Sequence, residues 1–162
     1  MRMKPFSRAA AALLSLLLVC ASAGCRRAAD PFAGLTTEEI VDRLYSEAGD
    51  LELPALISVP ITAENMAYYA GVDDLPVREG TASEPLINAI AYSVCVFRLD
   101  NAKNSADVQT LLRENANPNK WICVGVDEQN VIVDGAGDVV ILIMAGQSAA
   151  LHEAFLRIAG KA

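Results

Sequence analysis

The chain has a single histidine, His152, and its four cysteines include no Cys-x-x-Cys pair. A structural zinc site draws four Cys or His ligands at close spacing, so this inventory argues against one. A cysteine nucleophile needs a base beside it. His152, next to Glu153 and opposite the apolar stripe of the last helical segment, reads as a solvated surface residue. There is no Gly-x-Ser-x-Gly elbow, no phosphate-binding Gly-rich loop with its Lys, no internal repeat and no low-complexity tract. Positive charge is also scarce: 13 Lys and Arg stand against 20 Asp and Glu, a net charge of −7. Such a surface repels phosphate backbones and excludes nucleic acid as a natural partner. No cofactor and no metal are expected.

What is present begins with a targeting device. Residues 1–8 carry Arg2, Lys4 and Arg8, Ala9–Val19 form a short apolar run, and Ala21, Ser22, Ala23 and Gly24 are all small. A basic head, an apolar middle and a small-residue cleavage site make a secretion signal, here 1–24. A spanning helix needs about 20 apolar residues. The uncharged stretch Ala9–Cys25 has 17 and is broken by Ser15 and Ser22. Two cleavage readings compete. Ser22-Ala23-Gly24-Cys25 is similar to the lipobox of bacterial lipoproteins, with Ser22 where that motif usually has Leu. Cutting before Cys25 would leave its thiol as the lipid attachment site. Cutting after Ala21-Ser22-Ala23 would instead release a soluble secreted domain. The lipid reading is favoured, because a Cys directly after the small cluster has no other explanation. It makes the membrane a partner through lipid on Cys25 and places the protein on the extracytoplasmic face of the cell membrane.

Residues 25–35 then form the attachment point and a tether. The ten from Arg26 span at most about 35 Å when extended. Arg26 and Arg27 can meet anionic head groups. Without the signal, ten basic residues face twenty acids, a net −10.

Residues 36–162 read as one domain. Thr36 and Glu39 form a capping box before a helix over 37–48 that Gly49 stops. Residues 51–61 read as extended, 62–70 as a short helix, and 72–85 as an irregular or edge-strand segment turning at Gly80. Ala89–Leu99 has strong strand character, 105–115 is helical, and 121–126 reads as another strand. Residues 131–133 and 139–144 pair as a hairpin around a turn-rich loop, 134–138. The last helix spans 148–159, capped by Ser148. The wholly apolar 139–144 strand is expected at the centre of the sheet, covered on both faces. The fold class is therefore α+β: a two-layer sandwich of mostly antiparallel sheet with helices packed on one face.

Glu84-Pro85-Leu86-Ile87 leading into Ala91–Leu99, then Lys120–Val124, then Val131–Asp134 with Gly137–Met144 form a pattern of strands. It resembles the bacterial lipoproteins grouped as domain of unknown function 4358, over roughly residues 36–158. The resemblance implies a lipid on Cys25. It implies no activity, ligand or catalytic residue.

Three sets of residues are weighed as sites. Cys95 and Cys123, both in predicted strands, could pair as a disulfide if the strands are neighbours, or stand as small buried hydrophobes. Asp134-Gly-Ala-Gly-Asp138 reads as a hairpin turn, since Ala136 occupies the middle ligand position of any calcium loop. Tyr68, Tyr69 and Trp121 could line a ligand surface, with core packing expected for at least two of them. The functional expectation is a binding or adaptor module, meeting an envelope protein or small ligand through a sheet edge or groove. An extracytoplasmic enzyme with an unrecognised site is the alternative.

Overall fold

The structure, a computed structural model, describes residues 30–162. The expected secretion signal and Cys25 lie outside the described residues. In chain order the elements are α1 (Thr37–Ala48), β1 (Leu56–Pro60), α2 (Met66–Ala70), β2 (Val77–Pro85), β3 (Ser93–Leu99), α3 (Ser105–Asn115), β4 (Val131–Ala136), β5 (Val139–Met144) and α4 (Ser148–Ile158). The strands form one sheet in the order β1-β2-β3-β5-β4, and every neighbouring pair is antiparallel. The fold is α+β.

Side chains alternate across each strand, so the central strands supply two cores. Val94 and Val96 of β3 and Val139, Ile141 and Ile143 of β5 face Ile40, Val41 and Leu44 of α1 and Leu151 and Phe155 of α4. Cys95, Phe97 and Leu99, with Val140, Leu142 and Met144, face Val108 and Leu112 of α3, Tyr69 of α2, and Trp121. Every residue of β3 and β5 is buried. This is the central, doubly covered position expected of 139–144. Helices lie on both faces rather than one, because α2, α3 and the loop holding Trp121 cover the face opposite α1 and α4.

The capping box forms as expected: the Glu39 N–H donates to Thr36 Oγ1 at 3.1 Å, and Glu39 Oε2 accepts from the Thr36 N–H at 2.7 Å. The fold begins ahead of it, within the stretch read as tether. Phe32 is fully buried and stacks on Phe155 with centroids 5.6 Å apart. Arg98, 5% exposed, holds this start in place. Its guanidinium donates to the carbonyls of Phe32 and Leu35 at 3.0 and 2.8 Å and pairs with Asp138 at 2.9 Å.

Five segments depart from the sequence expectations. Residues 77–85 are a full strand between β1 and β3, and Gly80 sits inside it. A Cβ there would stand 3.0 Å from that of Ile61, so glycine lets the two chains close together. The strand reads as irregular because it is polar, yet its polar groups are paired: Glu79 accepts from the Thr37 N–H, Thr81 bonds Thr37, and Glu84 bonds Lys120. Residues 121–126 are a loop instead of a strand; Cys123 has φ 60°, a left-handed conformation that no ladder accommodates. Residues 62–65 form an Asn65-closed turn, which shortens the helix to five residues. Finally, β4 runs through Ala136, leaving only Gly137 and Asp138 as a two-residue turn, and Gln147 rather than Ser148 caps α4.

Candidate functional site

At the end of the sheet where β2 finishes and β3 begins, a buried cation organises three elements. Lys120 comes from the 116–126 loop, Glu84 from β2, Ser93 from β3. Lys120 Nζ donates to Glu84 Oε1 at 2.7 Å and to Ser93 Oγ at 3.0 Å. Its side chain is 3% exposed and that of Glu84 is 9%. Three aromatic rings wall the ammonium: Tyr68 at 4.5 Å, Tyr69 at 4.7 Å and Trp121 at 5.2 Å from their centroids. A ring face presents negative potential to a cation, so the cage adds attraction where water has been removed. The Trp121 indole N–H also points to Glu84 Oε2 at 3.4 Å.

The surrounding groups respond to this burial. Burial is the main cause that pushes the Tyr69 hydroxyl up to about 12, with the Glu84 carboxylate adding to it; Tyr68 moves the same way for the same reasons. Cys95 lies 3.4 Å from Ser93 Oγ. Burial raises its thiol to about 11 against the opposing pull of Lys120, so it stays protonated and inert. Ser93 and Lys120 stand within hydrogen-bond reach, the contact of a Ser–Lys nucleophile pair. The arrangement does not support that chemistry: Lys120 is ion-paired to Glu84, and Ser93 has no exposed surface for a substrate carbonyl to approach.

What the cage builds is one wall of a groove. The groove encloses about 240 Å³ and is lined by Ile57, Val59, Tyr68, Tyr69, Pro85 and Trp121, with Glu84 and Asn88. Of the lining residues Ile57 is 43% and Tyr68 40% exposed, and Leu86, Ile87 and Ile122, chain neighbours of the lining residues Pro85, Asn88 and Trp121, are 63%, 60% and 63% exposed. The Ile122 N–H donates to the Asn88 carbonyl at 3.0 Å, which ties the two apolar loops into one rim. A larger hollow of about 390 Å³ lies between Arg113, Glu114, Pro118 and Glu128, but Arg113 is already bound to the Val133 carbonyl and Gln109.

The residues singled out from sequence fall as follows. Tyr68, Tyr69 and Trp121 come together; Tyr69 and Trp121 are buried and Tyr68 is exposed. Cys95 and Cys123 are both free thiols, the first buried in β3 and the second exposed in the loop. His152 is half-buried rather than solvated: its Nε2 lies 2.8 Å from Asp134 Oδ2. Burial pushes the Asp134 carboxyl up, but the His152 hydrogen bond, the Gly135 N–H and Lys161 outweigh it and hold the group below its ordinary value. Asp138 serves Arg78 and Arg98. Among the described residues no cluster of His, Cys, Asp and Glu could hold a metal ion, and none of their helices is long and apolar enough to cross a membrane.

Sequence reasoning did not find Glu84, Ser93 and Lys120. Their separations in the chain carry no motif, and Glu84 and Lys120 stand among other polar residues, Thr81 and Ser83 in one case and Asn117 and Asn119 in the other. The chain was compared with protein-family models, with curated proteins and with solved structures, and it matches none of them.

Proposed function

We propose that this chain is a bacterial lipoprotein, anchored through lipid on Cys25 to the outer face of the cell membrane, whose domain acts as a binding or adaptor module at the envelope. The anchor rests on the secretion signal, on the small residues before Cys25, and on the resemblance to the lipoprotein family named above. The module rests on one observation: exposed apolar side chains at and next in the chain to the residues lining the Tyr68–Trp121 groove, on a domain with a net negative charge. Contiguous exposed apolar surface of this kind marks an interaction site.

The test is the mass of the mature N-terminal peptide together with membrane fractionation. A diacylglyceryl mass on Cys25, and release of the Cys25→Ser chain into the soluble fraction, are expected. An unmodified N-terminus two residues upstream of Arg26, at Gly24, would replace the anchored reading by that of a secreted domain.

A further inference from the structure

An antiparallel sheet has two edges, and this one treats them differently. On β4 the residues whose main-chain groups point outward are Val131, Val133 and Gly135, as the Ala145 N–H bond to the Asn130 carbonyl fixes the alternation. The last two carbonyls are capped by cations: Arg113 donates to Val133 O and Lys161 to Gly135 O, while the Val131 N–H bonds the Glu128 carbonyl. The Gly135 N–H is bonded to Asp134 Oδ1. Four of the six outward groups on this edge are thus taken within the same chain, a recognised defence against unwanted pairing.

The β1 edge is capped less fully. The Ile61 N–H bonds the Gly80 carbonyl and the Leu86 N–H bonds the Ala55 carbonyl, so Ile57 and Val59 face β2 while Leu56 and Ser58 face outward. Pro60 O is taken by Asn65. Among the described residues, nothing bonds the outward N–H and C=O of Leu56 and Ser58. These are spaced as one open stretch of ladder. On one face of this edge stand Ile57 and Val59, which also line the groove.

Charge narrows the occupant. From Leu44 to Val77 the chain has six acids, Glu47, Asp50, Glu52, Glu64, Asp73 and Asp74, and no Lys or Arg. Glu47 is already paired with Arg157, but two copies pairing β1 to β1 antiparallel would set Glu52, four residues before the strand, toward Glu64, four residues after it. A basic strand would be drawn to them.

We propose that β1 is a docking edge that takes an extended segment of a partner polypeptide as an added strand, its alternate side chains apolar and its flanks basic. This rests on the binding-module reading and gives it a partner chemistry. Main-chain bonds to Leu56 and Ser58 set the register. Apolar side chains of the added strand lie beside Ile57, Val59 and Tyr68, and its lysines or arginines meet the acids flanking β1. This is strand addition, in which backbone bonds supply affinity and side-chain pockets supply specificity.

The experiment uses the full processed chain in detergent and three synthetic peptides of alternating Val and Thr: one flanked by paired lysines, one flanked by paired glutamates, and one lysine-flanked but N-methylated at alternate residues. Trp121, the sole tryptophan, lines the groove and reports binding by fluorescence. Saturable binding of the lysine peptide is expected, with each of the other two weaker by about tenfold or more, the loss of one or two hydrogen bonds or ion pairs. Ser58→Pro should abolish binding with little change in stability, because the Ser58 N–H bonds no strand; Ser58→Ala should bind normally. Equal binding of all three peptides, or no binding of the lysine peptide at millimolar concentration, overturns the proposal. So does a dimer in sedimentation that Ser58→Pro dissociates, which would assign the edge to a second copy. A photo-crosslinker at Leu86 in the intact envelope separates the two readings. If it captures a protein while the peptides fail, the docking edge falls and the binding module stands; if both fail, both fall.

Discussion

Lys120→Met tests whether the buried cation holds the groove together. The substitution keeps the stem's volume and removes the ammonium. Glu84, 7% exposed, would then keep a carboxylate with only the Trp121 indole as a donor, at 3.4 Å. Breaking a buried pair by deleting one partner costs about 3–5 kcal/mol, most of it the desolvation of the charge left behind. For a domain of this size that lowers Tm by roughly 10–20 °C. Glu84→Gln alone leaves the opposite charge stranded and should cost a comparable amount. Joining the two substitutions removes both charges while the Gln oxygen still accepts from Trp121, so most of the stability should return. Urea unfolding followed by circular dichroism would measure all four corners of the cycle, with an expected coupling of about 2 kcal/mol or more. Single losses under about 1 kcal/mol, or a double variant as unstable as the sum of the singles, would refute the reasoning. The pair would then be a solvated contact with no hold on the aromatic wall.

Other outcomes follow from the same coordinates. Arg98→Met orphans the carbonyls of Phe32 and Leu35, at about 1–3 kcal/mol for each buried group left unbonded; limited proteolysis should then cut within residues 30–36, where the parent chain resists. Asp134 has a folded-state pKa below its unfolded value. Its contribution to stability is therefore present above about pH 4 and is lost as the pH falls through the lowered folded value. Asp134→Asn should flatten that acid limb of the stability–pH curve; an unchanged limb would show that His152 and Lys161 do not hold the carboxylate. Site-resolved maleimide labelling near neutral pH should modify the exposed Cys123 rapidly. Cys95, raised to about 11 by burial, should react only on unfolding.

Local chemistry was legible wherever it acted through near neighbours. The Thr36–Glu39 box, the period of α1, α3 and α4, and the hairpin of β4 with β5 all depend on residues a few positions apart. The apolar 139–144 strand announced its own central place, because only a strand covered on both faces can be apolar throughout.

Other features waited on partners far away in sequence. β2 looked unlike a strand because its polar residues are satisfied by Thr37 and Lys120, 44 and 36 positions distant. Residues 121–126 have the apolar, β-branched composition of a strand, but only Trp121 is buried while Ile122, Cys123 and Val124 stand exposed, and the left-handed backbone at Cys123 prevents a ladder. His152 read as a surface residue because nothing in α4 shows that Asp134 stands across from it. The sequence by itself determined the class of fold and the doubly covered strand, since periodicity and order along the chain are local quantities. Only the tertiary structure decided which edge of the sheet is largely capped and which is open, and that Glu84, Ser93 and Lys120 meet beneath three aromatic rings. Hydrogen bonds and ion pairs across a sheet depend on strand order and register, and those are set by the packing of the whole chain.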